Sequence, residues 1–439
     1  MDPKQPAALT SDEVRRKHKE FLFPATANYY EEPIVPVEAK GLRVRDLDGR
    51  EYLDFFGGIL TVSVGHANGE VNAAIKAQVD RLAHISSLYP TLPVVQLAET
   101  LARLAPGELK QCYLTASGTE ADETGVMMAQ LATGNDEIVA LRHGYSGRSL
   151  LAQSLTGVSG WRAVSTQVAA VKHALSPYCY RCPLGLKYPD CGVRCAQDLD
   201  ELIRTTTTGR IAGFIAEPIQ GVGGFVTPPK EYFKIAVEIV RRYGGVFICD
   251  EVQTGFGRTG AWWGCEQYGV EPEIMTMAKG IANGLPLSAT ITTPAVAASL
   301  KKLTISTFGG NPVSCAAANA TIAYIEGHDV LRNVQVTGAR LRAGLERLQA
   351  KYPRTIGEVR GMGLMQGVEL VEDETRADRT PNTKATLRLF EETKKRALLI
   401  GRGGLYGNCL RISPPLTVTE AEVDEAIGKL DESFAAIGA

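Results

Sequence analysis

The sequence predicts an α/β protein in which a large domain with a mostly parallel central sheet is joined to a smaller α+β domain. Its 439 residues are enough for about two to three folding units. From about residue 70 to residue 320, helical periodicity alternates with short apolar or β-branched runs. This alternation is typical of βαβ units and of a parallel sheet covered by helices.

The individual elements follow from local patterns in chain order. Two short strand patterns at 41–46 and 52–56, separated by Asp48 and Gly49, predict a hairpin. Apolar spacing predicts helices over 71–83, 94–105 and 119–131, and apolar runs predict buried strands over 138–141, 211–216, 246–249 and 274–277. Further on, we expect a helix over 331–351, a strand over 363–370, a helix over 384–396, short strands near Leu398 and Leu410, and a terminal helix from Thr419.

Changes in the pattern give the expected domain organisation. We expect residues 1–62 to form the N-terminal segment of the small domain, 63–325 the large domain, and 326–439 the C-terminal part of the small domain. Within the large domain, residues 155–200 interrupt the alternation with Ser, Gly, Pro and four cysteines. That stretch is too long for a simple connection, so we expect a folded excursion on the surface.

Composition and charge limit the classes of partner. The chain has 44% hydrophobic and 22% charged residues, and a formal charge of -2 supplies no field for gripping nucleic acid or an anionic bilayer. No apolar run approaches the roughly 18 residues of a membrane span, and the polar N-terminus carries no apolar signal core. We expect a cytoplasmic protein with a small-molecule partner and with neither a nucleic acid nor a membrane as partner.

Cysteine usage favours reduced thiols, because nine is an odd number in a long chain without a secretory signal. Four cysteines cluster as Cys179-x2-Cys182 and Cys191-x3-Cys195, a spacing that could close a tetrahedral zinc site. We favour the alternative of a surface loop with free thiols, so no metal is expected. If zinc does bind there, the site is structural rather than catalytic.

Two predicted strands end in residues able to carry chemistry. The run 246–249 ends in Asp250, at the end of a parallel strand where ligands collect, although acids there also cap helices. Twenty-nine residues on, the run 274–278 ends in Lys279 and Gly280. A lone lysine is usually solvated, but one with its stem along a buried strand end has the lowered pKa that a Schiff-base-forming lysine requires.

Two hydroxyl-bearing segments could bind phosphate. Ser117, Gly118 and Thr119 precede a predicted helix, whose N-terminus suits an anion, although such a string alone is more often a plain N-cap. Thr307 stands before two glycines and another helix start and offers a second phosphate contact.

One motif is deceptive. The run 255–260 matches the dinucleotide fingerprint GxGxxG, but it starts five residues past Asp250 and the residues after it open a helix poorly. We therefore expect no nicotinamide cofactor. The sequence has neither a Walker A lysine motif nor an HExxH zinc motif, so phosphoryl transfer and metalloprotease activity have no support.

Together these features identify a family resemblance. Residues 247–260, FICDEVQTGFGRTG, followed by 277–280, MAKG, resemble the signature of class III (omega-type) aminotransferases, and the resemblance extends from 53–55 to 411–416. Within that family, the sequence is most similar to the alanine–glyoxylate type-two and 4-aminobutyrate branches. The resemblance implies a fold type I transferase that depends on pyridoxal phosphate (PLP).

The resemblance also implies roles for individual residues. Lys279 anchors PLP covalently and moves the substrate proton, Asp250 keeps the pyridine nitrogen protonated, and Gln253 touches the ring hydroxyl. Tyr145 stacks on the ring, and Thr307 reaches the phosphate of a neighbouring subunit's cofactor, which implies a homodimer or a tetramer built from it. The full cofactor-binding set is Ser117, Gly118, Thr119, Tyr145, Glu217, Asp250, Val252, Gln253, Lys279 and Thr307.

The implied substrate contacts are two arginines. Arg411 grips the substrate carboxylate through a bidentate fork, and Arg148 stands where 4-aminobutyrate and ornithine enzymes contact a distal carboxylate. Ser146 replaces the histidine that many relatives have after the stacking aromatic, and Val222 replaces the glutamate that neutralises the downstream arginine in relatives that switch substrates. An unpaired Arg411 favours pyruvate or alanine over glutamate as co-substrate, although Arg148 favours the opposite.

The activity implied is ping-pong transamination from an amino acid or omega-amine to a 2-oxo acid such as pyruvate, glyoxylate or 2-oxoglutarate. Two alternatives stay open. The same fold carries a PLP-dependent decarboxylase, racemases and amino-alcohol phosphate lyases, and a non-catalytic binding protein could use it too. The presence of Lys279, Asp250 and Gln253 argues against the non-catalytic alternative.

Overall fold

The computed structural model describes residues 9–26, 28–165, 168, 170–373 and 379–439. Each of the predicted segments 1–62, 155–200 and 326–439 therefore includes some residues that lie outside the described ones. Short 3-10 helices cover Ser159–Trp161, Cys265–Tyr268 and Lys279–Ala282. The α-helices in the described ranges are α1 (Ser11–Phe21), α2 (Gly57–Leu60), α3 (Gly69–Arg81), α4 (Leu92–Leu104), α5 (Gly118–Thr133), α6 (Leu150–Leu155), α7 (Arg194–Thr206), α8 (Tyr232–Arg242), α9 (Pro294–Ala297), α10 (Pro312–Gly327), α11 (Val330–Lys351), α12 (Thr383–Lys395) and α13 (Glu420–Ile437).

The strands form one large sheet and two small ones within the described residues. The large sheet contains β4 (Gln111–Thr115), β5 (Ile138–Leu141), β6 (Val171–Ala174), β7 (Gly213–Ala216), β8 (Val246–Asp250), β9 (Ile274–Met277) and β10 (Ser288–Thr292). One small sheet contains β1 (Pro36–Lys40), β2 (Arg43–Asp46), β3 (Glu51–Asp54) and β13 (Leu398–Leu399). The other contains β11 (Ile356–Met362), β12 (Met365–Leu370), β14 (Gly401–Gly403) and β15 (Cys409–Ile412).

The central sheet has the order β4-β10-β9-β8-β7-β5-β6 and is mostly parallel. Strands β5 to β9 run parallel to one another, while β10 is antiparallel to both β9 and β4. The residues of β5, β7 and β9 are all buried, as expected for apolar strands covered by helices on both faces. The parallel arrangement brings the carboxyl ends of β7, β8 and β9 to one edge of the sheet.

The small sheets join distant parts of the chain. Strand β2 forms the predicted hairpin with β3, and β3 pairs in parallel with β13, so the N-terminal and C-terminal parts share one sheet. In the other small sheet, β12 pairs with both β11 and β15, which carries Arg411. The predicted domain boundary at 325 falls in the last turn of α10, and the boundaries themselves stay a prediction.

Most predicted elements are confirmed within one to three residues. The helix expected at 331–351 is α11, the one expected at 119–131 is α5, and the buried strands are β5, β7, β8 and β9. The sequence did not predict the helices α1, α2 and α6 to α9 or the strands β1, β4, β6, β10, β11 and β14. The expected surface excursion is wrong in one respect, because β6 lies within 155–200 yet pairs with β5 as the edge strand of the central sheet.

The mixed architecture with a mostly parallel sheet confirms the predicted fold class.

The lengths and sequences of the helices also bear on membrane insertion. Of the helices in the described ranges, none combines the length and the apolar character that crossing a bilayer requires.

Candidate active site

The site lies where three adjacent parallel strands end. Glu217 follows β7 directly, Asp250 is the last residue of β8, and Lys279 comes two residues after β9. Asp250 is paired in register with Thr276 of β9. Because parallel strands place their carboxyl ends at one edge, residues separated by up to 62 positions in the chain meet there.

Lys279 leaves β9 in an unusual backbone conformation. Its φ angle is 41°, in the left-handed region that side chains with a Cβ rarely adopt, and such strain concentrates at functional sites. A Cβ on the next residue, Gly280, would lie 2.6 Å from the Ser63 hydroxyl, so glycine is needed for this close approach. Burial lowers the pKa of the Lys279 amine, while the charges of Asp250 and Glu217 act in the opposite direction.

Asp250 is a buried carboxylate with defined partners. Its Oδ1 accepts a hydrogen bond from the backbone N–H of Val252 at 2.9 Å. Burial raises the pKa of Asp250 to about 6, although the Val252 hydrogen bond and the charge of Lys279 oppose the shift. Thr276, its register partner on β9, donates its hydroxyl to Asp122 on α5 at 2.7 Å. Asp122, which sequence reasoning did not single out, lowers the pKa of Asp250 through a hydrogen bond.

Glu217 supports the loop that carries the predicted stacking residue. Its carboxylate accepts hydrogen bonds from the backbone N–H groups of Tyr145 at 3.0 Å and Gly221 at 2.8 Å. Burial, followed by the charge of Asp250, raises the pKa of Glu217 to about 8. Glu217 therefore contacts the loop backbone directly, and its predicted contact with a cofactor stays a prediction.

The N-terminus of α5 lies beside these strand ends. The Ser117 side chain does not cap the helix but donates to Glu120 at 2.7 Å, and the first helical bond runs from Ala121 N–H to Ser117 C=O. The amides of Gly118 and Thr119 thus precede the first helical bond, where an anion is favoured. A Cβ on Gly118 would lie 3.4 Å from the Val252 side chain, which places the predicted residue Val252 beside this N-terminus.

Tyr145 has an aromatic neighbour that the sequence analysis missed. Its ring makes an edge-to-face contact with Trp161, with ring centroids 5.7 Å apart at an interplanar angle of 74°. Burial raises the pKa of the Tyr145 hydroxyl. The next residue, Ser146, which replaces the expected histidine, donates its backbone N–H to the Thr156 hydroxyl at 3.2 Å.

Arg411 on β15 is buried between two aromatic rings. Its guanidinium lies 5.2 Å from the Phe56 ring centroid and 4.8 Å from that of Phe225. Nη2 donates to Oε1 of Gln253 at 2.7 Å, whereas Nε is buried without a hydrogen-bond partner. A Cβ on Gly403 would lie 2.6 Å from the Arg411 Cδ, so glycine at this position leaves room for the Arg411 side chain. The guanidinium therefore has donor capacity left for an anion.

The remaining predicted contacts are arranged differently. Thr307 and Arg148 are both exposed, and Thr307 lines a surface cavity together with Thr115, Ala116 and Glu120, beside the N-terminus of α5. Val222 is buried, and its C=O accepts the N–H of Gly404. Gln253 is joined to Arg411, a link that the sequence did not predict, and its contact with a ring hydroxyl stays a prediction.

The four clustered cysteines line one small cavity, together with Tyr178, Pro183, Leu186 and Tyr188. All four are free thiols. In the described ranges, the one group of three or more potential metal ligands with atoms within 4.8 Å of one another is Cys249, Glu251 and Cys265. The thiols of Cys179 and its three partners are thus not gathered to metal-ligand distances, and zinc binding there stays a hypothesis.

The GxGxxG run does not begin an α-helix. Gly257 and Gly260 adopt φ angles of 91° and 88° in a series of turns after β8. At Gly255, a Cβ would lie 3.1 Å from the Trp263 ring. Close packing thus explains Gly255, and turn geometry explains Gly257 and Gly260. The motif is accounted for without a dinucleotide.

Four residues of this site escaped the sequence analysis: Asp122, Trp161, Phe56 and Phe225. Asp122 had a usable signal, because a carboxylate occupies the apolar face of α5 between Ala121 and Gly125, where burial is expected. The aromatic residues had none, since each lies in a loop or a short 3-10 helix without a periodic pattern, and its contact follows from the tertiary fold.

Comparisons with known proteins agree with this geometry. A sequence profile of the family described as Aminotransferase class-III matches residues 25–434. The alanine–glyoxylate aminotransferase 2 homolog 2, mitochondrial, of Arabidopsis thaliana is 43% identical over 97% of this chain and 88% of its own length. The Homo sapiens alanine–glyoxylate aminotransferase 2, mitochondrial, is 37% identical over 97% of this chain and 86% of its own length. The structure of a PLP-bound amine transaminase from an uncultivated Pseudomonas species is 32% identical, with a TM-score of 0.90 over 96% of this chain and 99% of that chain.

Proposed function

The chain belongs to the class-III aminotransferases, and from this premise we propose which residues act in the reaction and which substrates it uses. The enzyme is a PLP-dependent aminotransferase that moves an amino group from an amino acid or omega-amine to a 2-oxo acid. The predicted fold type I architecture is confirmed by its transaminase neighbours. The residue roles, the substrates and the oligomer are the proposal.

The residues at the strand ends fit pyridoxal phosphate. The amides of Gly118 and Thr119 precede the first helical bond of α5 and suit the phosphate. Asp250 offers a buried carboxylate for a ring nitrogen, and Lys279 offers an amine whose pKa burial lowers. The donor set therefore matches the cofactor's phosphate, ring nitrogen and aldehyde in turn.

Lys279 and Asp250 are the proposed catalytic residues. When bound, pyridoxal phosphate supplies an electron sink for the bond broken at the substrate carbon. Lys279 Nζ holds the cofactor and then carries the proton that leaves the substrate carbon. Asp250 holds a proton at the ring nitrogen through its ionised carboxylate. Gln253, Val252 and Glu217 complete the proposed ring contacts, and Tyr145 stacks on the ring face.

We propose a homodimer in which each copy completes the other's site. Leu303 and Phe308, on either side of Thr307, are 105% and 64% exposed, and the His84 ring lies 5.3 Å from that of Phe308. Leu88, in the segment after His84, is 73% exposed. Exposed large apolar side chains near one another favour association. In such a dimer, Thr307 of one copy would contact the phosphate of the cofactor bound by the other copy. Replacing Leu303 with lysine should therefore yield monomers in sedimentation experiments. In dialysis experiments, these monomers should bind the cofactor poorly.

Alanine, which is converted to pyruvate, is the proposed amino donor, and glyoxylate is the proposed acceptor. One observation carries this choice, namely that Arg411 is buried without an anion. Among the described residues, its Nε has no hydrogen-bond partner and no carboxylate forms an ion pair with it. A buried guanidinium without an anion is costly, so substrates that bring a carboxylate close to the reacting carbon are favoured. The Arabidopsis and human relatives bear the name alanine–glyoxylate aminotransferase, which supports the same pair. Arg148, exposed on its loop, is the proposed contact for any distal carboxylate.

Two experiments test the proposal. Borohydride reduction of the holoenzyme followed by peptide mapping should find the cofactor on Lys279, and labelling of another lysine would contradict the assignment. Spectroscopic half-reactions with alanine, glutamate, 4-aminobutyrate and 1-phenylethylamine should be fastest with alanine. Faster conversion by glutamate would contradict the substrate proposal, and racemisation of alanine without consumption of a 2-oxo acid would favour the racemase alternative. The predicted cytoplasmic location also stays a prediction, since the names of both relatives include the word mitochondrial.

A further inference from the structure

We infer that Asp122 is a protonated carboxylic acid that donates a hydrogen bond to Asp250 and so keeps Asp250 ionised and correctly oriented. Asp122 touches neither substrate nor cofactor in this arrangement and acts through Asp250, so it is a positioning residue. The inference rests on the role proposed above for Asp250. It adds to that role a second carboxyl group, which belongs to α5 rather than to a strand end.

The carboxyl groups of Asp122 and Asp250 are buried neighbours. Asp122 is 1% exposed and accepts a hydrogen bond from the Thr276 hydroxyl at 2.7 Å. Asp250, which is 3% exposed, is paired in register with Thr276 on the adjacent parallel strand, and the side chains of Thr276 and Ile248 on this sheet face pack against α5. This register places the carboxyl group of Asp250 beside that of Asp122, and a hydrogen bond with Asp122 lowers the pKa of Asp250. Two ionised carboxylates cannot form a hydrogen bond with each other, because neither has a proton to donate. One of the two must therefore be protonated.

The surroundings assign the proton to Asp122. Asp250 receives the backbone N–H of Val252 and lies in the field of Lys279, and both favour its ionised form. Burial raises the pKa of Asp122 well above its usual range, and the nearby charge of Asp250 raises it further. The Thr276 hydroxyl opposes these effects but does not offset them. At neutral pH the pair therefore consists of a neutral acid at 122 and a carboxylate at 250.

The charged groups that face Asp122 are Asp250, Glu217 and Lys279. The elements packed against α5 are β4, β7, β8, β9, β10, α6 and α9. Their sequences contain no lysine, arginine, histidine or glutamate, and their one aspartate is Asp250. From β10, Thr290 donates its hydroxyl to the Ala121 C=O instead of reaching Asp122. No cation on these elements is thus available to stabilise an ionised Asp122.

The consequence for the reaction is electrostatic. A neutral donor lowers the basicity of Asp250 without adding a charge to the site. A less basic Asp250 leaves the proton on the ring nitrogen, the form in which the ring accepts electrons best. Asparagine can donate the same hydrogen bond and is always neutral, whereas valine has about the same size and cannot donate. This contrast defines the test.

The first readout is infrared spectroscopy of the apoenzyme and of the holoenzyme. Buried, protonated carboxyl groups, Glu217 among them, should give a carbonyl stretch near neutral pH in the wild type. Asp122→Asn should lose the part of that band that comes from position 122, while the control Asp136→Asn, at an exposed site after α5, should leave the band unchanged. An Asp122→Asn spectrum that retains the full band would overturn the inference. Because the comparison is between the wild type and Asp122→Asn, this readout does not depend on the valine variant folding.

The second readout is the pH dependence of apoenzyme stability. A carboxyl group whose pKa is raised by folding stabilises the protein below its ordinary pKa, and that contribution is lost as the pH rises through the folded-state value. The melting temperature of Asp122→Asn relative to wild type should therefore increase between about pH 5 and about pH 9. A constant difference across this range would overturn the inference.

The third readout is cofactor binding by dialysis. Asp122→Asn should bind the cofactor within about threefold of wild type, whereas Asp122→Val should bind it roughly 10- to 150-fold more weakly, the usual effect of losing a hydrogen bond to a charged group. Equal weakening in both variants would overturn the positioning role. Failure of borohydride to label Lys279 would instead contradict the proposed function. The infrared band of the apoenzyme would not be affected by that result, so the two failures can be distinguished.

Discussion

Replacing Arg411 with lysine tests the most specific element of the substrate proposal. Lysine keeps the positive charge but loses the planar fork that binds a carboxylate through two parallel hydrogen bonds. The wild-type guanidinium lies between the Phe56 and Phe225 rings and donates to Gln253. The variant therefore removes the fork, the stacking contacts and the Gln253 hydrogen bond, while the site keeps its formal charge.

The magnitude follows from the burial of this group. Truncating one partner of a buried, hydrogen-bonded charge pair costs about 2–5 kcal/mol. Because about 1.36 kcal/mol corresponds to a factor of ten in rate, kcat/KM for alanine should fall roughly 30- to 5000-fold. A lysine ammonium can still make one charged hydrogen bond, which places the expected value near the lower end, at about 30- to 100-fold.

The assay compares two amines in single-turnover half-reactions. With 1-phenylethylamine, which has no carboxylate, Arg411→Lys should change the rate by less than about threefold, since the missing fork has nothing to bind. Arg103→Lys is a matched control, because Arg103 pairs with Glu326 on the surface at 2.8 and 2.9 Å. If both amines lost activity equally, the reasoning would be refuted, since Arg411 would then support the site and not the substrate carboxylate.

Two further changes probe the surroundings of these residues. Gly401→Ala would place a Cβ 2.1 Å from the Phe56 ring, so we expect a loss of about 1–3 kcal/mol in unfolding free energy and slower alanine turnover. Gly428→Ala, where nothing lies within 4 Å, is its control and should stabilise the protein in denaturant titrations. Trp161→Ala removes the edge contact with Tyr145, worth about 0.5–1.5 kcal/mol, so dialysis should show a cofactor Kd raised roughly 2- to 12-fold. An unchanged Kd would mean that this contact does not support the ring site.

Elements with a strong periodic signal could be predicted from the sequence. The helix α11 has a regular apolar stripe, and the buried strands β7 and β9 are continuous apolar runs. In contrast, β1 is almost entirely exposed and carries no alternation to detect. Hydropathy also hid β10, which is fully buried although its sequence is SATIT.

Buried polar residues explain why β10 and β11 were missed. In β10, the Ser288 hydroxyl lies 2.6 Å from that of Thr115, so the polar groups of the strand are satisfied inside the core. In β11, Arg360 is buried because it forms ion pairs with Glu358 and Glu369. A sequence reveals that a residue is polar, but not that a partner from another strand compensates for its burial.

The same limit separates the predicted from the unpredicted parts of the site. Asp250 and Lys279 could be predicted because each ends an apolar strand, and the edge where parallel strands end is where ligands bind. The burial of Asp122 has a sequence signal, but its relation to Asp250 has none, because the two residues are 128 positions apart and the packing of α5 on the central sheet brings them together. The roles of all three residues remain to be tested by the variants described above.

The charge balance of the site connects its two ends. Burial disfavours each charged side chain, so some acidic residues at the strand ends are protonated. The local charge therefore depends on which of them are protonated, more than on how many there are. With Asp122 neutral, the ionised Asp250 faces the amine of Lys279, while the hydrogen-bond partner of Arg411 among the described residues is the neutral Gln253. A substrate carboxylate would supply the missing anion, whereas an amine without a carboxylate would leave the guanidinium unpaired. Substrate choice therefore depends on the acid groups at the strand ends as well as on the arginine itself.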